Sequence, residues 1–251
     1  MFFVRDSSLN SIVNMLSALA LPTLERKFKH RESDVEVYTN TPFFIRLDGV
    51  GFGRMLEGFR RPRDVRVHNA LIDAAVVLMK RYSLPLAYII SDEVNVLVYD
   101  SNIYSGRVEK IVSITAAIIS SHTSLALERP LYFDSRIIPV NKNEIKEYIL
   151  YRARVGFNNY INSLLKELNI DEKVLSEMHL KDRVKLLYKL DQDLGQREIW
   201  EYLGTSIFWI EVKKQTHNKL TGEKVAVKRR IISIKQGVID LIQYVDSLLK
   251  Q

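Results

Sequence analysis

The chain has no cysteine, and this removes disulfides, Cys-ligated zinc and thiol nucleophiles together. A cytosolic enzyme is the default that fits. Histidine is scarce, and His30, His68, His122, His179 and His217 show no metal-ligand spacing, so each reads as structural or surface. No internal repeat or low-complexity linker divides the 251 residues. Long unbroken apolar runs are lacking too. Ile111 to Leu127 is interrupted by Ser113, Thr115, Ser120, Ser121, His122, Thr123 and Ser124, which reads as too polar for a membrane span. Leu9 to Leu21 carries Ala18-Leu19-Ala20, similar to a signal-peptidase site. However, Asn10, Ser11, Asn14 and Ser17 interrupt it, and Leu9, Ile12, Val13, Leu16, Leu19 and Ala20 share one helical face. A docked amphipathic helix is expected, with no membrane partner.

What is present is ample apolar content, 47%, and a formal net charge of +7. The first supports a real core. The second suits a polyanionic partner without demanding one.

The order of elements is informative. After a charged connector, Glu25 to Glu36, the spacing predicts a strand at Thr41 to Leu47, a glycine-rich turn, and a helix introduced by Pro62 and Asp64 that ends near Lys80-Arg81. Leu86 to Ile90 and Val94 to Tyr99 read as a hairpin. A helix from Arg107 to Leu127, a strand from Leu131 to Val140 and a helix from Asn143 to Leu168 follow. This is β-α-β-β-α-β, an α+β, ferredoxin-like, palm-like core of the polymerase and cyclase type. Asp171 to Leu194 reads as helical. Thr205 to Val212 and Val225 to Ile234 read as a hairpin turning near Thr221-Gly222, and Lys235 to Leu249 as a closing helix. The expected division is 1–40 for the N-terminal helix and connector, 41–168 for the catalytic core, and 169–251 for a helical and β-hairpin extension packed on it.

Two acidic turns close apolar strands of that unit, Asp48 before Gly49-Val50-Gly51-Phe52-Gly53 and Ser91-Asp92-Glu93 at the hairpin tip. Carboxylates at the ends of buried strands are costly when unpaired. Each alone also reads as a turn residue bonded to local amides, but two on one unit fit a pair of Mg²⁺ ions, with Asp48 and Asp92 as ligands and a backbone carbonyl near Gly49 adding an oxygen. The glycines would let a triphosphate approach the backbone. Its charge would be met by the cluster Arg54, Arg60, Arg61, Arg63 and Arg66, and by Arg107 and Lys110 at the start of a helix. Solvated surface charge is the competing reading of both groups.

With these residues in view, the chain resembles the tRNA-histidine guanylyltransferase family and its guanylyltransferase-like branch of 3′-to-5′ polymerases. The resemblance runs through Arg46-Leu47-Asp48-Gly49-Val50-Gly51-Phe52, Phe59-Arg60-Arg61-Pro62-Arg63-Asp64-Val65-Arg66, Ser91-Asp92-Glu93, Arg107-Val108-Glu109-Lys110 and Phe133-Asp134-Ser135-Arg136. It implies two Mg²⁺ ions, ATP that adenylylates the 5′-end of a tRNA, and attack by the 3′-OH of an incoming GTP or other NTP. It also implies a homotetramer. Asp48 and Asp92 take the positions of the metal-binding aspartates, and Glu93 that of a supporting acid counted with the catalytic set. Nucleotide contacts fall on Gly49, Val50, Gly51, Phe52, Arg61, Ser91, Arg107 and Lys110, and RNA contacts on Arg152, Asn159 and Asn162. Departures include Phe157 where the family has His, Leu203 where it has a basic residue, and Val50 in Gly-Arg-Gly-Phe. The pattern favours the branch that repairs 5′-truncated tRNA. A nucleotide cyclase or conventional polymerase shares the same core. A non-catalytic RNA-binding module is the other class, against which stands the lack of a Lys/Arg-Gly-Phe/Tyr-x-Phe run.

Overall fold

The computed structural model describes residues 7–33, 42–217 and 223–250. Helices α1 (Ser7–Ala18) and α2 (Leu21–Ser33) precede β1 (Phe43–Gly49), the one-turn α3 (Phe52–Met55) and α4 (Val65–Tyr82). Next come β2 (Leu86–Ile90), β3 (Glu93–Val98), α5 (Val108–Leu127), β4 (Phe133–Pro139) and α6 (Ile145–Glu167). The remainder is α7 (Glu172–Glu177), α8 (Leu180–Lys189), α9 (Ile199–Leu203), β5 (Thr205–His217), β6 (Lys224–Gln236) and α10 (Ile239–Leu248).

The strands form one sheet in the order β4-β1-β3-β2-β5-β6, and each adjacent pair is antiparallel. The first four reproduce the expected β-α-β-β-α-β unit. Strands β2 and β3 are buried along their whole length because both faces of the sheet are covered. On one face α4 and α5 pack over Ile45, Leu47, Ala87, Val94 and Val96. On the other, α1, α2, α6 and α8 pack over Phe44, Tyr88, Leu97 and Ile138.

Local chemistry explains the elements that frame the site. The Asp64 carboxylate caps α4 by accepting from the Arg66 amide at 2.9 Å, and its other oxygen accepts from the Arg60 amide at 2.8 Å. One side chain thereby starts the helix and ties down the arginine-rich loop before it. Helix α6 meets the sheet at Gly156, where an added Cβ would lie 2.0 Å from Ile90 Cγ1. Replacing Gly156 by Ala is therefore expected to cost about 1–3 kcal/mol through overpacking, read by urea denaturation. An unchanged midpoint would show that α6 can lift without penalty.

Several boundaries differ from the sequence reading. The charged connector is mostly helix α2, because Lys27 and Arg31 pair with Glu144 and Glu147 beside α6. Asp171 to Leu194 is two helices, broken between Glu177 and Leu180. The last hairpin is longer than expected, and Lys235 and Gln236 belong to its ladder opposite Ser206 and Thr205, so α10 starts only at Ile239. The expected turn at Thr221-Gly222 lies outside the described residues, as does Thr41. Helix α5 is, by length and composition, apolar enough to cross a membrane, contrary to the sequence reading; here its Ile111, Thr115, Ile119 and Thr123 are buried against the sheet side.

Candidate active site

Strand register brings the acids together. Asp48 lies opposite Glu93 on β3 and opposite Asp134 on β4, so the three share a sheet face. Arg46 and Asn95, two residues along, share it as well. Between Ile90 and Glu93 the chain turns through Ser91 and Asp92. Ser91 adopts a left-handed φ of 61°, unusual for serine, and its hydroxyl donates to Asp92 Oδ1 at 2.8 Å. The Gly49 amide donates to the Asp92 carbonyl at 3.2 Å, which joins the two acidic turns directly.

Asp48 and Asp92 line one cavity of about 240 Å³ together with Arg46, Glu93, Arg152 and Asn159. Asp92 and Ser91 also border a larger cavity of about 460 Å³. That space has Arg60, Arg61, Arg63 and Lys166 among its walls, and an aromatic side built from Phe52, Phe59, His68 and Trp200. The His68 ring stacks on Trp200 with centroids 4.3 Å apart, and its Nε2 lies 2.8 Å from Thr205 Oγ1. Burial, with Arg63 nearby, pushes the His68 imidazole down to about 4, so it is neutral at physiological pH.

The electrostatics of the acids differ sharply. Burial and the neighbouring Glu93 raise the Asp48 carboxyl to about 6 against the pull of Arg46, and Asp92 and Asp134 add to the rise. Arg46 does hold Asp48 Oδ2, at 2.7 Å. One oxygen of Asp134 is buried with no hydrogen-bond partner among the described residues. A divalent cation is what such crowded, under-neutralised carboxylates fit. Among the described residues no set of three or more His, Asp or Glu side chains is arranged as a cage.

Glu93 is different, and the structure gives this supporting acid partners that the sequence did not show. It is 4% exposed; Arg46 Nε donates to it at 2.8 Å, Arg152 Nε at 2.8 Å and Asn95 Nδ2 at 2.7 Å. Burial alone would raise its carboxyl, but Arg152 and Arg46 outweigh that and hold it below the ordinary glutamate range. Glu93 is a buried ionic hub that positions β1, β3 and α6, with its oxygens already filled. Arg152, expected to meet RNA, is the other half of that hub and is buried as well. Asn162 accepts from Arg183 NH1 at 2.6 Å, whereas Asn159 is exposed and borders the smaller cavity.

Other expected contacts are also redistributed. The Gly49 and Val50 amides are spent on the Asp92 and Tyr132 carbonyls, so they are not free to cradle phosphates. A Cβ on Gly49 would lie 2.6 Å from the Phe52 ring; the missing side chain serves Phe52, which then borders the larger cavity. Gly51 leads into α3. Arg61 is exposed on the larger cavity, its NH2 3.1 Å from the Gly53 carbonyl. Arg107 and Lys110 border neither cavity. Strand β3 carries the chain from Glu93 to the opposite end of the sheet before α5 begins, so both lie toward the end of the sheet away from the acidic turns. There Lys110 lies 4.9 Å over the Tyr104 ring. Sequence reading named Arg63 only as one of five arginines and missed Trp200 and Lys166, which come from elements distant in the chain.

Comparisons with known proteins agree with this architecture. The family model described as tRNAHis guanylyltransferase (Thg1) matches residues 25–155. Uncharacterized protein R259 of Acanthamoeba polyphaga mimivirus is 24% identical over 127 residues, and the match spans 45% of this chain but only 41% of that curated relative. Among solved structures, a bacterial tRNA(His) guanylyltransferase (Thg1)-like protein in complex with ATP superposes with a TM-score of 0.68 at 17% identity, over 92% of this chain and 99% of that one. A complex of such a bacterial protein with GTP gives 0.65 at 18%, over 92% and 98%. The Saccharomyces cerevisiae tRNA(His) guanylyltransferase gives 0.61 at 17%, over 84% and 94%.

Proposed function

This chain belongs to the tRNAHis guanylyltransferase family, and from that premise we propose that it is a nucleotidyltransferase that adds nucleotides to the 5′-end of tRNA in the 3′-to-5′ sense. The observation that carries the reading is the position of Asp92, which shares one cavity with Asp48 and forms a wall of the other, cation-rich and aromatic-sided. In this reading ATP and GTP or another NTP use the larger cavity. The base would lie against the aromatic side of the cavity, and the phosphates would turn toward Arg61, Arg63 and Ser91. Asp48 and Asp92, with the Gly49 carbonyl, would hold magnesium, which supplies Lewis acidity and neutralises triphosphate charge.

The reaction has two balanced steps. An oxygen of the tRNA 5′-phosphate attacks the α-phosphorus of ATP and releases pyrophosphate. The 3′-OH of the incoming nucleotide then attacks the adenylylated 5′-phosphate, releasing AMP and giving up its proton. Arg46 keeps Asp48 in place, and the Glu93–Arg152 hub keeps Arg46 in place. Incubating full-length and 5′-shortened tRNA with each labelled NTP tests the proposal by which end grows. Growth at the 3′-end, or a cyclised nucleotide, would replace it with one of the same-core alternatives. A homotetramer in the cytosol completes the reading, and light scattering on the purified chain tests the assembly.

The RNA needs a wider surface than the cavities, and the outer β5–β6 hairpin offers one. Beyond Phe208, β5 pairs with β6 alone among the described residues, and the ladder sets Lys213 opposite Lys228, His217 opposite Lys224 and Glu211 opposite Arg230 on one face. Neutralising Lys213, Lys224, Lys228 and Arg230 together to Gln is expected to weaken tRNA binding at low salt. The slope of log affinity against log salt should flatten by about 0.7–0.9 for each phosphate that the hairpin no longer neutralises. Filter binding across a salt series reads this directly; an unchanged slope would take the hairpin out of the RNA surface.

A further inference from the structure

Among the cations of the larger cavity, Arg61 and Arg63 have no acidic partner within ion-pair distance among the described residues, and of the two Arg63 is the more enclosed, Arg61 being exposed. Arg60 pairs with Glu201, and Lys166 with Glu172. Arg63 NH1 donates to the Pro62 carbonyl, at 3.0 Å, and Nε is buried with no partner among the described residues. Its guanidinium carbon stands 5.9 Å from the Tyr160 ring centre. Glu201, the nearby acid that could neutralise it, already accepts from Arg60 at 2.6 Å and from the Tyr160 hydroxyl at 2.5 Å. Burial pushes the Arg63 guanidinium below its ordinary range, with Asp92 opposing from a distance. A partly buried cation whose Nε is shut off from solvent without a partner among the described residues carries a desolvation cost in the free protein.

The surroundings indicate what would neutralise it. Arg63 lines the same cavity as Ser91 and Asp92, and Phe59, Val67, His68 and Trp200 form the apolar side of that space. The loop carrying it is pinned by the Asp64 carboxylate through the Arg60 and Arg66 amides. Its position is therefore set before any ligand arrives.

We propose that Arg63 joins the exposed Arg61 as a phosphate-binding residue of the larger cavity, its guanidinium taking triphosphate oxygens of the nucleotide between Ser91–Asp92 and the aromatic wall. This rests on the nucleotidyltransferase reading. A full buried charge calls for a full opposite charge, which phosphate supplies and a neutral base does not; guanidinium also matches phosphate oxygens in a two-pronged geometry. Arg63 would thereby supply the anion-binding part of the large cavity, beside its apolar wall of Val67, His68 and Trp200.

The test uses tripolyphosphate, GTP and guanosine as separate probes of wild type, Arg63→Met and Arg63→Lys, by calorimetry and thermal unfolding. Arg63→Met should raise the melting temperature of the free protein while abolishing stabilisation by tripolyphosphate. It should weaken GTP 10- to 100-fold and leave guanosine unchanged, with Arg63→Lys intermediate. Arg63→Met binding tripolyphosphate and GTP like wild type overturns the assignment while leaving the nucleotidyltransferase reading standing. Loss of guanosine binding in equal measure also overturns it, by making Arg63 a shaper of the cavity. Wild type that binds neither GTP nor tripolyphosphate defeats both. Should Arg63→Met not fold, Arg63→Lys against wild type decides on the same readouts.

Discussion

Replacing Asp48 or Asp92 by Asn is expected to reduce 5′-nucleotide addition by about 10³-fold or more, corresponding to ~4 kcal/mol of transition-state stabilisation. The expectation follows from the proposed metal-holding role of these two carboxylates in the cavity they share, Glu93 being held by Arg46 and Arg152. Stability should move the other way for Asp48. Its native carboxyl is raised to about 6 from 3.8, so the folded chain holds that proton more tightly than the unfolded one. The stability this contributes is complete below 3.8 and lost as pH rises through about 6. At neutral pH the ionised group is thus a burden on the fold, and Asp48→Asn should melt higher than wild type in chelator. Oxygen acceptance from Arg46 survives in Asn. A variant that loses both activity and melting temperature would mark Asp48 as structural, and one that keeps activity would end the case for this site.

The second large effect concerns folding. Glu93→Gln leaves two buried guanidiniums, Arg46 and Arg152, without their shared counter-charge, and is expected to cost about 3–5 kcal/mol. Guanidinium chloride denaturation measures it. Arg152→Met should cost a comparable amount, and the double variant less than the sum, because the two changes remove one interaction. The pH sign is opposite to that of Asp48. Glu93 is held below its ordinary 4.5, so its contribution is complete above 4.5 and is lost only as pH falls through the lower native value. Wild type should therefore lose more stability on acidification than Glu93→Gln. Equal acid sensitivity in both would show that Glu93 is not the hub.

How legible all this was depended on the kind of signal. The β-α-β-β-α-β order was readable because apolar periodicity and turn residues are local, and the strands predicted at Thr41–Leu47, Leu86–Ile90 and Val94–Tyr99 fall within two residues of those observed. The docked N-terminal helix was readable for the same reason, with Leu9, Val13 and Leu16 buried. Adjacent residues of one motif were harder to tell apart. Asp92 and Glu93 follow one another, yet one borders both cavities with its carboxylate in the turn and the other is enclosed by arginines from β1 and α6. Arg152 was assigned to RNA through the family resemblance alone, and its buried partner, 59 positions earlier, shows only in the fold.

The sequence by itself determined the strand and helix order, the exclusion of thiol chemistry, and the two acidic turns, since all of these follow from residue type and short-range spacing. Only the tertiary structure decided which charges meet. The direction of β3 placed Arg107 and Lys110 at the far end of the sheet, and packing of α6 and α9 against the loop after α3 enclosed Arg63 near Trp200. The physical reason is that pairing and burial of a charge depend on neighbours brought in from distant segments, and hydrophobic periodicity carries no record of which side chain will neutralise which.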